Sequence, residues 1–172
     1  HPGLGGRTQV SLVQCRRHRY LRGCFLAQPN YAFVPDLNSS DIERDVDVDP
    51  GQVEDMVLAW AIGSTSNSNT VTLVRGGMLI GNGVGQQDRV GGCKLAVMRA
   101  VDAGHDTAEA VAYSDSFFPF VDGTAELDRA GVAAILATSG SIRDGEVREF
   151  CREQGITLFL YADSAGRGFF GH

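Results

Sequence analysis

From residue 69 onward the chain alternates between two periodicities, and this constrains its fold more than any single motif. Residues 69–74 alternate as a strand does, Arg75-Gly76-Gly77 supplies a hairpin turn, and residues 78–81 return. A helical segment then runs over residues 87–103, a strand over 110–113, a helix over 123–130 and a strand over 132–137. Ser139-Gly140-Ser141 opens a helix that reaches Gln154, with Ser141 and Asp144 spaced as a capping box. Gly155 ends this helix, and residues 156–161 form a last strand. Strands that alternate with helices bury their apolar faces by placing helices against a sheet, and the hairpin adds an antiparallel neighbour. The expected fold is therefore α/β, a three-layer sandwich with a mixed sheet.

The first third reads less regularly. Residues 8–15 and 23–28 fit strands, and between them Arg16-Arg17-His18-Arg19 reads as a solvated turn or, more sharply, as a phosphate clamp. Residues 29–49 are polar and rich in Asp and Asn, which predicts an irregular surface segment. Asp49-Pro50-Gly51-Gln52 is a helix start: Asp49 caps, Pro50 suits the first turn and Gln52 sits where a capping partner belongs. Val53, Met56, Val57, Trp60 and Ala61 follow at helical spacing, so Trp60 is expected in the core.

A length of 172 residues predicts one domain over the whole chain. The net charge of −6 argues against nonspecific binding to nucleic acid or to an anionic membrane. No apolar run approaches the roughly 20 residues needed to span a bilayer. The first residues hold no apolar signal-peptide core, and the expected location is the cytoplasm. Cys15, Cys24, Cys93 and Cys151 are scattered and read as reduced thiols, and no spacing of His or Cys fits a metal site. Lys94 is the sole lysine, so any mechanism that needs a catalytic lysine has one candidate.

The chemistry concentrates in loops that follow strands, which gather at one sheet edge where ligands usually bind. The first is Gly81-Asn82-Gly83-Val84-Gly85-Gln86-Gln87-Asp88-Arg89. Its glycines fit neither dinucleotide nor P-loop spacing, but Arg89 is a planar cation able to grip an amide, carboxylate or phosphate. The second is Ser114-Asp115-Ser116-Phe117-Phe118-Pro119-Phe120-Val121-Asp122. Three rings around a proline either plug the core or line a pocket for a flat heterocycle. The third is Ser139-Gly140-Ser141-Ile142-Arg143, whose amides open a helix and would welcome an anion. Asp88, Asp115 and Asp122 are the candidate proton shuttles, and Asn69, Arg89, Phe117, Phe118, Pro119, Phe120 and Ser141 the candidate binding residues.

Taken in order, Ser68-Asn69, the Gly81-to-Arg89 run, the Asp-Ser-Phe-Phe-Pro-Phe loop, Ser139-Gly140-Ser141-Ile142-Arg143-Asp144 and the terminal Phe170-Gly171-His172 resemble the C-terminal part of AICAR transformylase. That activity belongs to the bifunctional purine family that also carries IMP cyclohydrolase. The resemblance covers residues 21–172. It implies a cytidine-deaminase-like fold, and a site completed by a homodimer or by a partner chain that supplies the other transformylase half. It implies formyl transfer from 10-formyltetrahydrofolate to the amine of AICAR. By motif match Asn69 and Arg89 would hold the nucleotide carboxamide. Phe117, Pro119, Phe120 and Asp122 would line the pocket shared with the folate, and Phe170 and His172 would close the nucleotide side.

The departures are specific. Nothing here resembles the family's Lys-His-x-Asn-Pro-Cys-Gly motif, and no segment resembles the cyclohydrolase. Asp88 stands where the family has serine, and Gly168 where it has arginine, with Arg167 displaced by one. Three readings follow: a transformylase-related enzyme part, a ring-forming enzyme of secondary metabolism (Pictet-Spengler-type or another cyclase) using a carboxylate as acid/base, and a non-catalytic ligand-binding or interface domain.

Overall fold

In the computed structural model, which describes residues 16–29, 33–44 and 49–166, the chain divides into two compact units, His1–Phe33 and Val34–His172. In the first unit, β1 (Arg16–Leu21) and β2 (Cys24–Pro29) pair antiparallel from Leu21↔Cys24 to Arg16↔Pro29. The arginine cluster expected as a turn is thus a strand, and the turn falls instead at Arg22-Gly23. Charge signals solvent exposure but not backbone conformation, and an exposed ribbon accommodates both. Tyr20 and Phe25 sit opposite each other in an edge-to-face contact 5.7 Å between centroids, which pins the register. The strand expected over residues 8–15 lies outside the described residues.

The second unit holds a six-stranded mixed sheet in the order β3-β8-β7-β6-β4-β5. Its strands are β3 (Ile42–Arg44), β4 (Val71–Arg75), β5 (Met78–Gly83), β6 (Val111–Ser114), β7 (Ala134–Ser139) and β8 (Thr157–Ala162). Its helices are α1 (Pro50–Gly63), α2 (Arg89–Asp102), α3 (Val121–Arg129), α4 (Asp144–Gln154) and the single turn α5 (Asp163–Gly166). β6, β7 and β8 run parallel, while β3, β4 and β5 join by antiparallel pairing. The segment expected to be irregular over 29–49 therefore contributes an edge strand, β3, because Ile42 finds Tyr161 of β8 as its partner.

Sheet residues alternate between two apolar environments. Val71, Leu73, Ala112, Ile135, Ala137, Leu158 and Leu160 cluster with Cys93, Ala96 and Ala100 of α2, Leu127 of α3 and Val147 of α4. The intervening residues, such as Thr72 and Tyr113, meet α1, where a Cβ on Gly63 would come within 2.3 Å of the Tyr113 ring. That close approach sets the rotation of α1. Its buried residues are Asp55, Met56, Ala59 and Gly63. The stripe expected from Val53 to Ala61 is thus turned: Val57 and Ala61 are exposed, and Trp60, expected in the core, is half-buried. Asp49 caps α1 as expected, its Oδ1 accepting from Gly51 N at 2.8 Å.

β5 runs antiparallel to β4, and β4 runs antiparallel to β6. The C-terminal ends of β5, β6, β7 and β8 and the N-terminal end of β4 therefore share one edge.

Candidate functional site

Arg89 is the first residue of α2, and its guanidinium turns inward at the shared edge, only 6% exposed. Its Nη1 donates to Asp115 Oδ1 in an ion pair, and to Thr70 O at 3.2 Å. Its Nη2 donates to Asn69 Oδ1 at 3.0 Å. Thr70 N donates to the same Asp115 oxygen at 2.9 Å. Asn69 is held from the other side: its Nδ2 donates to Gln86 O at 3.0 Å, and the two backbones exchange hydrogen bonds at 3.2 and 3.1 Å. One network thus ties the start of β4, the β5–α2 loop and the end of β6. Arg89 Nε and Asp115 Oδ2 are buried without a hydrogen-bond partner among the described residues.

The aromatic loop splits its rings between two environments. Phe118 is 2% exposed and belongs to the hydrophobic core, where a Cβ on Gly123 would meet its ring at 2.9 Å. Phe118, counted among the expected binding residues, thus packs into the core under the loop. Phe117 and Pro119 are half-buried, and Phe120 is 51% exposed, with the Arg143 guanidinium 4.9 Å from its ring centroid. That stacking is a cation–π contact joining the second and third loops.

At the third loop the helix-opening amides after Ser141, expected to welcome an anion, are partly engaged: Arg143 N donates to Ser141 Oγ and Asp144 N to Ser141 O. Gly140 N and Ser141 N donate to the two carboxylate oxygens of Asp144, at 2.6 and 3.2 Å. Ser141 Oγ accepts from Arg143 N at 3.1 Å, so it closes the turn ahead of α4. The capping box expected between Ser141 and Asp144 is half formed: Asp144 Oδ1 accepts from Ser141 N, but Ser141 Oγ accepts from Arg143 N rather than from Asp144 N.

The proposed proton shuttles are each engaged. Asp88 is exposed and caps α2, with Oδ1 accepting from Gly91 N at 2.6 Å. Asp122 is exposed in the first turn of α3, with Oδ1 accepting from Gly123 N at 2.8 Å. Asp115 is fully buried as the counter-ion of Arg89. Nearby, burial pushes the Cys93 thiol up to about 12; the Arg89 cation opposes this, and the Asp122 and Glu126 carboxylates add to it. Lys94 projects to the surface of α2 and pairs with Glu126 at 3.6 Å. Phe170 and His172 lie outside the described residues.

Sequence reasoning missed Thr70 and Asp163. Thr70 contributes backbone atoms, which no side-chain pattern reveals. Asp163 follows β8 directly and accepts from Thr138 Oγ1 at 2.8 Å, so its position after a strand was an available signal. Among the described residues no group of three or more His, Cys, Asp or Glu could hold a metal ion, and no helix is long and apolar enough to cross a membrane. A cleft of about 680 Å³ opens at the opposite edge of the sheet, lined by residues that include Glu54, Asp55, Arg75 and Glu109. The Asp55 carboxylate there is spent on the amides of Gly76 and Gly77.

The second unit is thus an α/β domain with a buried cation–carboxylate network and an aromatic loop at the carboxyl edge of a mixed sheet. The family described as AICARFT/IMPCHase bienzyme matches residues 8–99, and the chain belongs to that family. It is 45% identical over 112 residues to the bifunctional purine biosynthesis protein PurH of Mycobacterium ulcerans (strain Agy99), covering 65% of this chain and 21% of that protein. It is 43% identical over 113 residues to PurH of Cutibacterium acnes (strain DSM 16379 / KPA171202), covering 66% and 21%. The chain therefore spans about a fifth of the length of these relatives. Among solved structures, Acinetobacter baumannii RibD, form 2, matches 69% of this chain and 39% of its own at a TM-score of 0.46, with 17% identity.

Proposed function

We propose that this chain supplies a substrate-binding part of an AICAR transformylase, with a flat purine precursor lying against the aromatic loop. In this reading the second unit is a three-layer, cytidine-deaminase-like domain, at work in the cytoplasm. The substrates are AICAR and 10-formyltetrahydrofolate. The formyl carbon leaves N10 of the folate and bonds to the amine of AICAR, while the amine loses a proton and N10 gains one. A homodimer or a partner chain completes the site. The observation that carries the reading is the convergence of Asn69, Arg89 and Asp115 with the 117–120 loop at one sheet edge.

Within this chain the division of labour is binding and orientation. Asn69 and Arg89 present fixed polar atoms, while Phe117, Pro119 and the exposed Phe120 offer apolar surface to a ring. Proton transfer falls to groups outside the chain. Lys94 is engaged on the surface of α2, and the Lys-His motif that does this work in the family has no counterpart here. Asp115, as the buried counter-ion of Arg89, is withdrawn from the acid/base role that the ring-forming reading gives it, while exposed Asp88 and Asp122 each spend one oxygen on a backbone amide. Calorimetry of the full native protein with AICAR and with a folate tests it. Binding of both is expected, weakened by Phe120→Ala and by Asn69→Ala. Absence of binding to either overturns it.

A further inference from the structure

The four longer helices of the second unit begin in two different ways. α1 and α2 begin on Asp49 and Asp88, whose carboxylates accept from the backbone N–H of Gly51 and Gly91, the usual duty of a residue at that position. α3 and α4 begin on Phe120 and Arg143, and neither side chain makes a capping hydrogen bond. A phenyl ring has no oxygen to offer a helix-opening amide, and a guanidinium carries only donors. Both positions set aside a local preference, and such departures gather where function constrains the residue.

The two exceptional side chains meet each other. The Arg143 guanidinium lies 4.9 Å from the Phe120 ring centroid. Arg143 is itself held from the side of α4: its Nη1 donates to Glu146 Oε2 at 3.1 Å, and its backbone N donates to Ser141 Oγ at 3.1 Å. Glu146 belongs to the first turn of α4, so a brace runs from that helix through Arg143 to the ring that opens α3. Phe120 is 51% exposed, and an exposed ring without such a neighbour exchanges among rotamers. A planar cation over one face selects one orientation, and the ring keeps exposed surface for a flat group.

We infer that Arg143 is a positioning residue of the proposed binding site: stacked on Phe120 and braced by Glu146, it fixes that ring as a wall against which the flat substrate lies. This deepens the proposed function and rests on it. Arg143 acts through Phe120 and needs no contact of its own with the substrate. That separates it from an arginine that grips an anionic substituent, and from one that only steadies the start of α4.

The experiment is a double-mutant cycle read by calorimetry with AICAR on the full native protein: wild type, Arg143→Gln, Phe120→Leu and Arg143→Gln/Phe120→Leu. Both side chains are about half exposed, so urea midpoints are expected to stay near that of the wild type. Arg143→Gln is expected to weaken AICAR binding about two- to fivefold, the range of an exposed cation–π contact. It is expected to have no effect once Phe120 is replaced by Leu. Should Arg143→Gln lower the urea midpoint, Glu146→Gln, which loosens the brace and leaves both stacked side chains in place, takes its part in the cycle with the same expected dependence on Phe120. A loss of equal size in both backgrounds overturns the role, since the replaced group then acts independently of the ring. An affinity that the replacement leaves unchanged overturns it as well, and neither result touches the proposed function. A wild type that binds no AICAR overturns the proposed function and this role with it.

Discussion

Asp55 and Asp115 are both buried carboxylates at opposite ends of the β4 neighbourhood, and they are satisfied in opposite ways. Asp55 is 7% exposed, and each of its oxygens takes one backbone N–H, from Gly76 and Gly77, at 2.6 Å. Those glycines turn the β4–β5 hairpin with φ of 59° and 75°, so the carboxylate fastens α1 to a turn and has nothing left to offer. Asp115 concentrates its contacts on one oxygen, pairs with a cation and leaves the other oxygen unmatched. The difference teaches how to rank buried acids. A carboxylate that divides its oxygens between two turn amides is a clamp, whereas one that pairs with a buried cation balances charge inside the fold.

The sharpest way to break this comparison is to remove the cation. Arg89→Met strands the Asp115 charge in the interior and is expected to cost about 3–5 kcal/mol in urea unfolding. The double variant Arg89→Met/Asp115→Leu should recover much of that loss. A single variant within 1 kcal/mol of wild type would show that water reaches the pair. A similar contrast is expected inside the aromatic loop. Phe118→Ala opens the core and should cost about 3–5 kcal/mol, whereas Phe120→Ala should stay within about 0.5 kcal/mol in stability while weakening AICAR binding.

At the other end, Asp55→Ala should cost about 1–3 kcal/mol, because the exposed hairpin amides can turn to water. AICAR affinity should be unchanged; a weakened affinity would mean that the two ends are coupled. The smallest effect concerns Cys93. Its thiol is raised from 9.0 to about 12, so below pH 9 folded and unfolded states both hold the proton and stability does not depend on it. As pH rises from 9 toward 12 the unfolded thiol ionises first, and stability falls. Cys93→Ala should flatten that fall in urea midpoints taken between pH 8 and pH 10. At pH 8 a thiol reagent should modify exposed Cys24 and spare Cys93 and Cys151 in the native protein.

Much of the fold was legible because its signals are local. The hairpin at Gly76-Gly77, the Asp49 cap and the left-handed Gly155 after α4 each depend on a few neighbouring residues, and each lies where the pattern put it. The family was legible for the same reason, since its motifs are short runs in a set order. The α1 stripe was misread because helical periodicity gives a spacing but not a phase. Contact of Gly63 with Tyr113 and of Asp55 with the hairpin chose the inner face. The arginine cluster was misread because charge reports solvent, and the exposed β1 meets solvent as readily as a turn does.

From α1 onward the succession of elements, the antiparallel hairpin within a mixed sheet and the loops that follow its strands were already legible in the sequence, because strand period, caps and turns are encoded within a few residues. Only the tertiary structure decided which of those residues face one another. It gave Arg89 a counter-ion 26 residues away, set Phe118 in the core and left Phe120 outside, and spent the amides of the Ser141 loop on Asp144. The physical reason is that charge neutralisation and burial are properties of surroundings, and those surroundings come from strands that meet only once the sheet has formed.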